Sequence, residues 1–338
     1  MGEITRDSNQ RYEGILRRLS RQFLSDEVED CVIFLGAGAS YDPVGPSPPT
    51  AAELSRSMAK ECGLEWHEYI PLSTIAYYYE FFRDRQELNY FLSGCIGNPQ
   101  LKPSRTIREL MRIIRALELR DREVLVITTN YDQLFERAYK EEFKKPPIVV
   151  TYNGGTDAND LSATLNVVLD RDPRSWRPRG KTFLYKMHGC ISRTKEQKES
   201  GVPEREHNLV VTEEDYINFL SNALSTDLRK GLLPYVLGKV AEASILFIGY
   251  SLADWNFRVI FKATAERHGK KNIAVQYFDP KTARNNDQVR WQALVEFWQK
   301  KSVDIINVDA ANFVSDLANV MSPREDAPAT NTEPVATP

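Results

Sequence analysis

The sequence predicts an α/β protein with a doubly wound, mostly parallel sheet and a helical insertion module. Short, apolar, partly β-branched segments alternate with segments of helical periodicity, which is the pattern of a parallel sheet covered by helices. Glycine or polar clusters follow several of the apolar segments, as expected where strands end. Residues 55–120 carry mainly helical periodicity without an obvious strand, and this stretch predicts the insertion module.

The 338 residues suffice for about two domains, or for one large domain with an insertion. Apolar residues at helical spacing over 8–26 predict an N-terminal helix, which we assign to residues 1–27. The main domain is predicted over residues 28–320. The remaining residues are mostly Pro, Ala, Thr, Glu and Asn, so we expect a disordered tail over 321–338.

The first strand of the main domain is predicted at residues 31–35 and ends in a Gly-Ala-Gly run. A proline-rich loop follows this run. Thr50 and Glu53 match a capping box, so the next helix is predicted to start late, after Thr50. Prolines and the Gly-Asn-Pro run at 97–99 divide the helical module.

The rest of the chain continues the alternation of strands and helices. Further strands are predicted at residues 124–127, 148–152, 162–169, 183–187, 244–248, 273–278 and 303–308. Helices are predicted to start near Gln133 and Thr212. The aromatic run at 77–82 is interpreted as helical core, and an assembly surface is the alternative for this run and for the N-terminal helix.

Composition excludes several classes of function. The chain carries 44 Lys and Arg against 47 Asp and Glu, so it has no general attraction for nucleic acid, and we expect nucleic-acid contact only indirectly through a partner. No apolar run approaches the ~20 residues of a membrane helix, and no secretory signal is visible. The four cysteines form no C-x-x-C pair, so neither a disulfide framework nor a thiolate zinc site is predicted. We therefore expect a cytoplasmic protein without a membrane partner.

Four strand ends carry residues suited to binding chemistry. The Gly-Ala-Gly run at 36–38 is half of a dinucleotide-binding fingerprint, but Tyr41 occupies the position of its third glycine. Polar clusters also follow the predicted strands at 128–132, 188–189 and 249–256. Because ligands bind beyond the carboxyl ends of strands in open α/β sheets, we expect the four clusters to converge. Helix caps, glycine turns and a core histidine remain the alternatives for the individual motifs.

These motifs together resemble the ordered motifs of sirtuin-like domains, most closely the branch found in bacterial antiphage defence proteins. The motifs that carry the resemblance are Gly36-Ala37-Gly38-Ala39-Ser40, Thr128-Thr129-Asn130-Tyr131-Asp132, Lys186-Met187-His188-Gly189, Gly249-Tyr250-Ser251-Leu252-x-Asp254-x-Asn256 and, less specifically, Val211-Thr212-Glu213-Glu214-Asp215-Tyr216. The resemblance covers roughly residues 28–310. It implies a Rossmann-like domain with a helical module, and NAD bound as substrate in the cleft between them.

The resemblance also implies roles for individual residues. Asn130 would orient water and the nicotinamide ribose, and His188 would accept a proton from the ribose or from the attacking water. An amide both donates and accepts hydrogen bonds, and an imidazole with a pKa near about 6.5 suits proton transfer at neutral pH. The predicted NAD contacts are Gly36, Ala37, Gly38, Ser40, Asp42, Thr129, Asp132, Gly249, Ser251 and Asn256.

Two departures from the pattern of protein deacylases decide between activities within this resemblance. Deacylating sirtuins carry a zinc held by two C-x-x-C pairs after the His-Gly motif, but residues 191–244 contain no cysteine. Asp42-Pro43-Val44-Gly45 also stands where deacylases have Pro-Asp-Phe-Arg. We therefore predict an NAD+ hydrolase without zinc, which depletes NAD+ as an effector of antiphage defence. The alternatives are an NAD-dependent protein deacylase or ADP-ribosyltransferase, and a non-catalytic subunit that senses NAD or another nucleotide.

The resemblance implies control of this activity, because an unregulated NAD+ hydrolase would kill its host. Fused defence proteins of this type carry a sensor domain, and little chain remains after residue 310 for one. We therefore expect a homo-oligomer, or control by a separate partner such as a HerA-type hexameric ATPase.

Overall fold

The structure of the protein, a computed structural model, describes residues 6–25, 31–151, 182–191, 209–223, 234–252, 258–259, 261–262, 271–283 and 285–322. The described strands are β1 (Cys31–Leu35), β2 (Val124–Thr128), β3 (Ile148–Thr151), β4 (Thr182–Lys186), β5 (Ile245–Ile248), β6 (Asn272–Gln276) and β7 (Val303–Asn307). They form one sheet in the order β3-β4-β2-β1-β5-β6-β7, and every pairing is parallel. The predicted fold class is confirmed. The strand predicted at 162–169 and the tail after 322 lie outside the described residues.

Helices cover both faces of the sheet. The described helices are α1 (Arg6–Leu24), α2 (Ala37–Ser40), α3 (Ala51–Glu61), α4 (Leu72–Phe82), α5 (Arg85–Ile96), α6 (Arg105–Glu118), α7 (Leu134–Phe143), α8 (Glu213–Ala223), α9 (Pro234–Glu242), α10 (Asn285–Gln299) and α11 (Ala310–Met321). One face packs against α1, α6, α7 and α11, and the other against α8, α9 and α10. In β1, Ile33 and Leu35 enter the first layer while Val32 and Phe34 enter the second. Burial on both faces explains why the central strands are continuously apolar.

The helices α3, α4 and α5 of the helical insertion form most of a third apolar cluster, which Ile191, Leu209 and Val211 from outside the insertion complete. Helix α6 belongs instead to the layer that covers the sheet, so the part of the predicted module that contributes to this third cluster is residues 51–96. The predicted capping box is confirmed at the start of α3, where the Thr50 hydroxyl accepts the Glu53 N–H and the Glu53 carboxylate accepts the Thr50 N–H. The expectation that the first helix after β1 starts only there is wrong, because α2 begins directly after Gly36.

The aromatic run at 77–82 lies on α4, but its interpretation as helical core is wrong for all but one of its aromatic side chains. Tyr79 is buried, whereas Phe81 is 72% exposed and Phe82 is 54% exposed. Tyr77 and Tyr78 are also exposed. We call the four exposed side chains the aromatic surface of α4.

The apolar side of α1 is buried rather than free for assembly. Leu16, Leu19 and Phe23 enter the sheet layer, and the Tyr12 hydroxyl donates to Asp316 of α11 at 2.9 Å. Among the residues that the structure describes, no helix has the length and apolar character needed to cross a membrane.

Candidate functional site

The four predicted motifs follow β1, β2, β4 and β5, which are the central strands of the sheet. From β1 the chain proceeds to β2 on one side, and from β5 it proceeds to β6 on the other side. The order of strands therefore reverses between β1 and β5. In open α/β sheets the ligand crevice lies at this position, beyond the carboxyl ends of the strands.

The two glycine segments after β1 and β5 are in direct contact. Gly38 donates its N–H to the Gly249 carbonyl at 2.8 Å, and Gly36 donates to Ile248 at 3.1 Å. A Cβ atom at Gly36 would lie 2.4 Å from the Cα of Tyr250, and one at Gly249, whose φ is +61°, would lie 2.1 Å from the Ala39 nitrogen. The contact between the two segments thus requires these glycines independently of any bound phosphate.

Asn130 lies at the centre of the site, and its side-chain orientation is fixed by two acceptors. Its Nδ2 donates to the carbonyl oxygen of Gly36 at 3.0 Å and to Ser40 Oγ at 3.0 Å. A carbonyl oxygen only accepts, so the amide nitrogen must face Gly36. The other amide atom, Oδ1, is buried and has no hydrogen-bond partner within the described residues. The site therefore presents a buried acceptor to a ligand that donates a hydrogen bond.

Ser40 and Asp132 continue this network behind Asn130. The Ser40 hydroxyl accepts from Asn130 and donates to Asp132 Oδ2 at 2.9 Å. Asp132 Oδ1 accepts the N–H of Leu134 at 2.9 Å, at the start of α7. Both side chains are buried, and their hydrogen bonds commit both to holding the loop that carries Asn130. They therefore hold Asn130 in position.

A buried lysine lies beneath the same loop. Lys186, the last residue of β4, is 1% exposed, donates to the carbonyl oxygen of Asp132 and pairs with Glu136 at 2.9 Å. Burial by itself lowers the pKa of Lys186, but the neighbouring Cys190, Glu136 and Asp132 outweigh burial and raise it, so the side chain is an ammonium ion at neutral pH. Desolvation raises the pKa of the Cys190 thiol to about 11, which keeps this thiol protonated.

His188 follows β4 as Asn130 follows β2. Thr128 and Lys186 are paired in the ladder, and each candidate residue lies two positions beyond its member of that pair. The His188 ring is only 5% exposed and meets the rings of Tyr216 and Phe219 edge-on, at centroid distances of 5.2 and 5.4 Å. Two perpendicular aromatic neighbours fix the plane of the imidazole.

Helix α8, which supplies these two aromatic rings, is tied to the helical module. Arg85, at the start of α5, donates to Asp215 at 2.8 Å and to the carbonyl oxygen of Leu209 at 2.6 Å. Asp215 in turn accepts the N–H groups of Val211 and Thr212. Helix α8 thereby connects the helical module to the aromatic rings that contact His188.

The remaining predicted NAD contacts differ in their burial and hydrogen bonding. Asp42 accepts the N–H groups of Val44 and Gly45 at 3.1 and 3.3 Å, and these bonds, the Val44 bond foremost, lower the pKa of Asp42. Asp42 thus organises its own loop. Ala37, Gly38 and Ser251 are exposed, Thr129 and Gly249 are half-buried, and Asn256 lies outside the described residues.

The sequence motifs contain Asn130 and His188 and also Lys186, Asp215 and Tyr216, but the sequence does not predict that the last three support the first two. Glu136, Phe219 and Arg85 lie outside the motifs. Lys186 and Glu136, Tyr216 and Phe219, and Arg85 with Asp215 belong to elements that are distant in sequence. A charged residue at the end of an otherwise apolar strand was the available signal for Lys186. Among the described residues, no cluster of three or more His, Cys, Asp or Glu side chains could hold a metal ion.

Two comparisons with known proteins show what this chain is similar to. A family model described as SIR2-like domain matches residues 124–306, which is more than half of the chain. A protein of Enterococcus faecium named NAD(+) hydrolase ThsA is 29% identical over 236 residues. The match includes 69% of this chain, and the chain spans only 40% of the length of that relative.

Proposed function

This chain belongs to the SIR2-like domain family, and from that premise we propose that it is an NAD+ hydrolase, which cleaves NAD+ into nicotinamide and ADP-ribose. The observation that carries the proposal is the amide of Asn130. Its nitrogen is held by Gly36 and Ser40, and its buried oxygen has no hydrogen-bond partner within the described residues. The name of the Enterococcus faecium relative supports the same activity.

The chemistry requires only what these side chains supply. Cleavage of the N-glycosidic bond passes through an oxocarbenium-like state, and nicotinamide leaves as a neutral molecule from a cationic precursor without an acid. Asn130 Oδ1 is placed to accept a hydrogen bond from the attacking water or from a ribose hydroxyl. The imidazole of His188 accepts the proton that this water or hydroxyl loses. The burial of His188 and the aromatic rings that contact it keep bulk water away from the reacting bond.

The dinucleotide phosphates would lie over the exposed part of the glycine segments. Because the Gly38 N–H is already bonded to Gly249, we assign phosphate contact to the main chain of Ala37 and to the Ser251 hydroxyl. Ser40, Thr129, Asp132 and Gly249 support the walls of the crevice.

The proposal is tested by incubating the purified chain with NAD+ and separating the products by chromatography. We expect nicotinamide and ADP-ribose in equal amounts without an acylated peptide. Nicotinamide release that requires an acylated peptide would establish a deacylase instead. NAD+ binding without any nicotinamide release, whether the chain is alone or mixed with a protein encoded beside it in the genome, would establish a sensor. Either result contradicts the proposal.

His188→Ala is expected to slow nicotinamide release about a hundredfold, because the proton then passes to water. The matched control is His67→Ala, since His67 is exposed on the helical module and should be dispensable. Activity of His188→Ala within about threefold of the His67→Ala variant would remove His188 from the mechanism.

We further propose that the chain acts in antiphage defence by depleting NAD+ and that assembly controls it. A HerA-type ATPase encoded nearby is the proposed heteromeric partner. The aromatic surface of α4 is the proposed contact between copies of the chain, because four adjacent exposed aromatic side chains are unusual on a monomer.

Phe81→Lys is expected to shift the oligomer towards monomer by at least about tenfold in dissociation constant, because it places a charge in the proposed contact. Sedimentation velocity measures this shift. Leu119→Lys, at an exposed apolar residue outside α4, is the matched control and should leave assembly unchanged. A monomeric parent chain, or equal effects of both variants, would contradict the proposed contact.

A further inference from the structure

A groove of about 1060 Å³ lies at the β7 edge of the sheet, two strands beyond β5. Its floor includes Ile305 and Asn307 of β7. Helix α1 forms one wall, and Val295 and Gln299 of α10 line the other. Since α1 and α10 cover opposite faces of the sheet, the groove follows the edge of β7 between two helical walls.

The edge of β7 that faces away from β6 carries backbone groups with no neighbouring strand among the described residues. Within the described residues, β7 pairs only with β6. Ser302 accepts from Asn272, and Val308 donates to Gln276, so the even-numbered residues of this segment direct their main chain towards β6. In a ladder, successive residues direct their N–H and C=O groups to alternate sides. The main-chain groups of Ile305 and Asn307 therefore face the groove, and these are the groups that an added strand would bind.

Gly14 opens the wall that α1 contributes. It lies in the middle of the helix and lines the groove, and a Cβ atom added to it would meet no atom of the described residues within 4 Å. The fold therefore gains nothing from this glycine, although glycine within a helix costs about 0.5–1 kcal/mol relative to alanine. Its effect is to leave space beside the strand edge for another backbone.

The charges that line the groove favour an acidic occupant. Arg18 lies 3.8 Å from Asp304, and Asp316 accepts the Tyr12 hydroxyl. Arg105 donates to the neutral side chain of Asn312 at 3.2 Å. In the part of the chain that the structure describes, neither Arg11 nor Arg105 forms an ion pair with a carboxylate. The three arginines that line the groove exceed its two aspartates by one, so the groove has an excess of positive charge beside Ile305 and Asn307.

We propose that this groove binds an extended, acidic segment of a partner protein, which adds to the sheet as a strand beside β7. Main-chain hydrogen bonds to Ile305 and Asn307 would provide affinity, and carboxylates at alternate positions of the segment would meet the arginines. The helical walls stand on both sides of the strand edge. A single extended chain fits between them, whereas a second copy would bring its own α1 and α10 against them.

The test uses three labelled peptides, each acetylated and amidated at its ends, and the full-length chain. The probe is an alternating peptide of four Val-Glu repeats, and the first control is an alternating peptide of four Val-Lys repeats. The second control is a block peptide, in which four valines precede four glutamates. It has the composition and charge of the probe without its alternation. Fluorescence anisotropy is expected to give saturable binding of the probe, at least about tenfold tighter than either control.

Variants of the chain then locate the binding. Gly14→Leu fills the groove and is expected to weaken probe binding at least about tenfold, while improved helix propensity preserves the fold. Gly94→Leu is the matched control, because Gly94 is an exposed glycine of α5 with nothing within 4 Å of an added Cβ. Arg11→Glu should weaken the probe and strengthen the lysine peptide.

Four results would overturn the proposal, and the first three concern peptide binding. They are the absence of saturable probe binding up to about 1 mM, equal affinities of Gly14→Leu and Gly94→Leu, and equal binding of the two acidic peptides, which would indicate general electrostatic attraction only. Loss of self-association on Gly14→Leu substitution would identify a second copy of the chain as the occupant and would also overturn it.

Discussion

Replacement of Asn130 by alanine is expected to lower the rate of nicotinamide release at saturating NAD+ by about a thousandfold. The amide is oriented before the ligand arrives, because Gly36 and Ser40 both accept from its nitrogen. Its oxygen, which no described residue contacts by a hydrogen bond, is therefore available to the water or ribose hydroxyl without reorganisation. Alanine removes this acceptor, and the Gly36 carbonyl and the Ser40 hydroxyl each lose the hydrogen bond that the amide nitrogen donates to them.

The measurement separates catalysis from binding and from folding. The rate constant kcat should fall while the dissociation constant for NAD+, determined by calorimetry, changes less than about tenfold. Asn286→Ala is the matched control, since Asn286 is exposed on α10 and alanine suits a helix. Asn130→Asp should also be inactive, because it places an acceptor against the Gly36 carbonyl oxygen. If Asn130→Ala retains more than about a tenth of the parental rate, the proposed role of the amide is wrong.

The hydrogen bonds of Ser40 illustrate how much of this site the sequence could predict. The Gly-Ala-Gly-Ala-Ser run and the Asn130 motif were recognisable, because apolar strands followed by glycine or polar residues leave a local pattern. The parallel register of β2 and β4 places Asn130 and His188 at equivalent positions beyond paired strand residues. The link from Asn130 through Ser40 to Asp132 joins residues separated by about ninety positions. No local pattern encodes such a link, so the supporting network required the structure.

The aromatic surface of α4 shows a second reason why a prediction from the sequence can be wrong. Aromatic residues at almost every position from 77 to 82 give no amphipathic period, so the sequence cannot distinguish a buried side from an exposed one. The structure resolves the ambiguity because Tyr79 packs into the core of the module while Phe81 and Phe82 remain exposed. The sequence could not predict the groove beside β7 either, since the position of the groove depends on which strand lies at the edge of the sheet.

Substitution of Lys186 by methionine is expected to lower the free energy of unfolding by about 3–5 kcal/mol. The ammonium group neutralises Glu136 in a nearly solvent-free position, and Glu136 Oε2 has no hydrogen-bond partner within the described residues. Methionine fills a similar volume but leaves the carboxylate buried without a counter-ion. The Asp132 carbonyl also loses its donor, so the loop that carries Asn130 is loosened.

A double variant distinguishes this electrostatic cause from a packing defect. Lys186→Met with Glu136→Gln removes both charges, so it should recover at least about 1–2 kcal/mol relative to Lys186→Met alone in urea-induced unfolding. Lys145→Met is the exposed control, because Lys145 pairs with Glu118 at 3.2 Å while half its surface is in water, and it should cost less than about 1 kcal/mol. No recovery in the double variant would mean that packing, and not the unpaired carboxylate, sets the loss. If recovery of stability is accompanied by only partial recovery of kcat, the bond from Lys186 to the Asp132 carbonyl has a separate effect. That effect is to hold Asn130 in the orientation that the reaction needs.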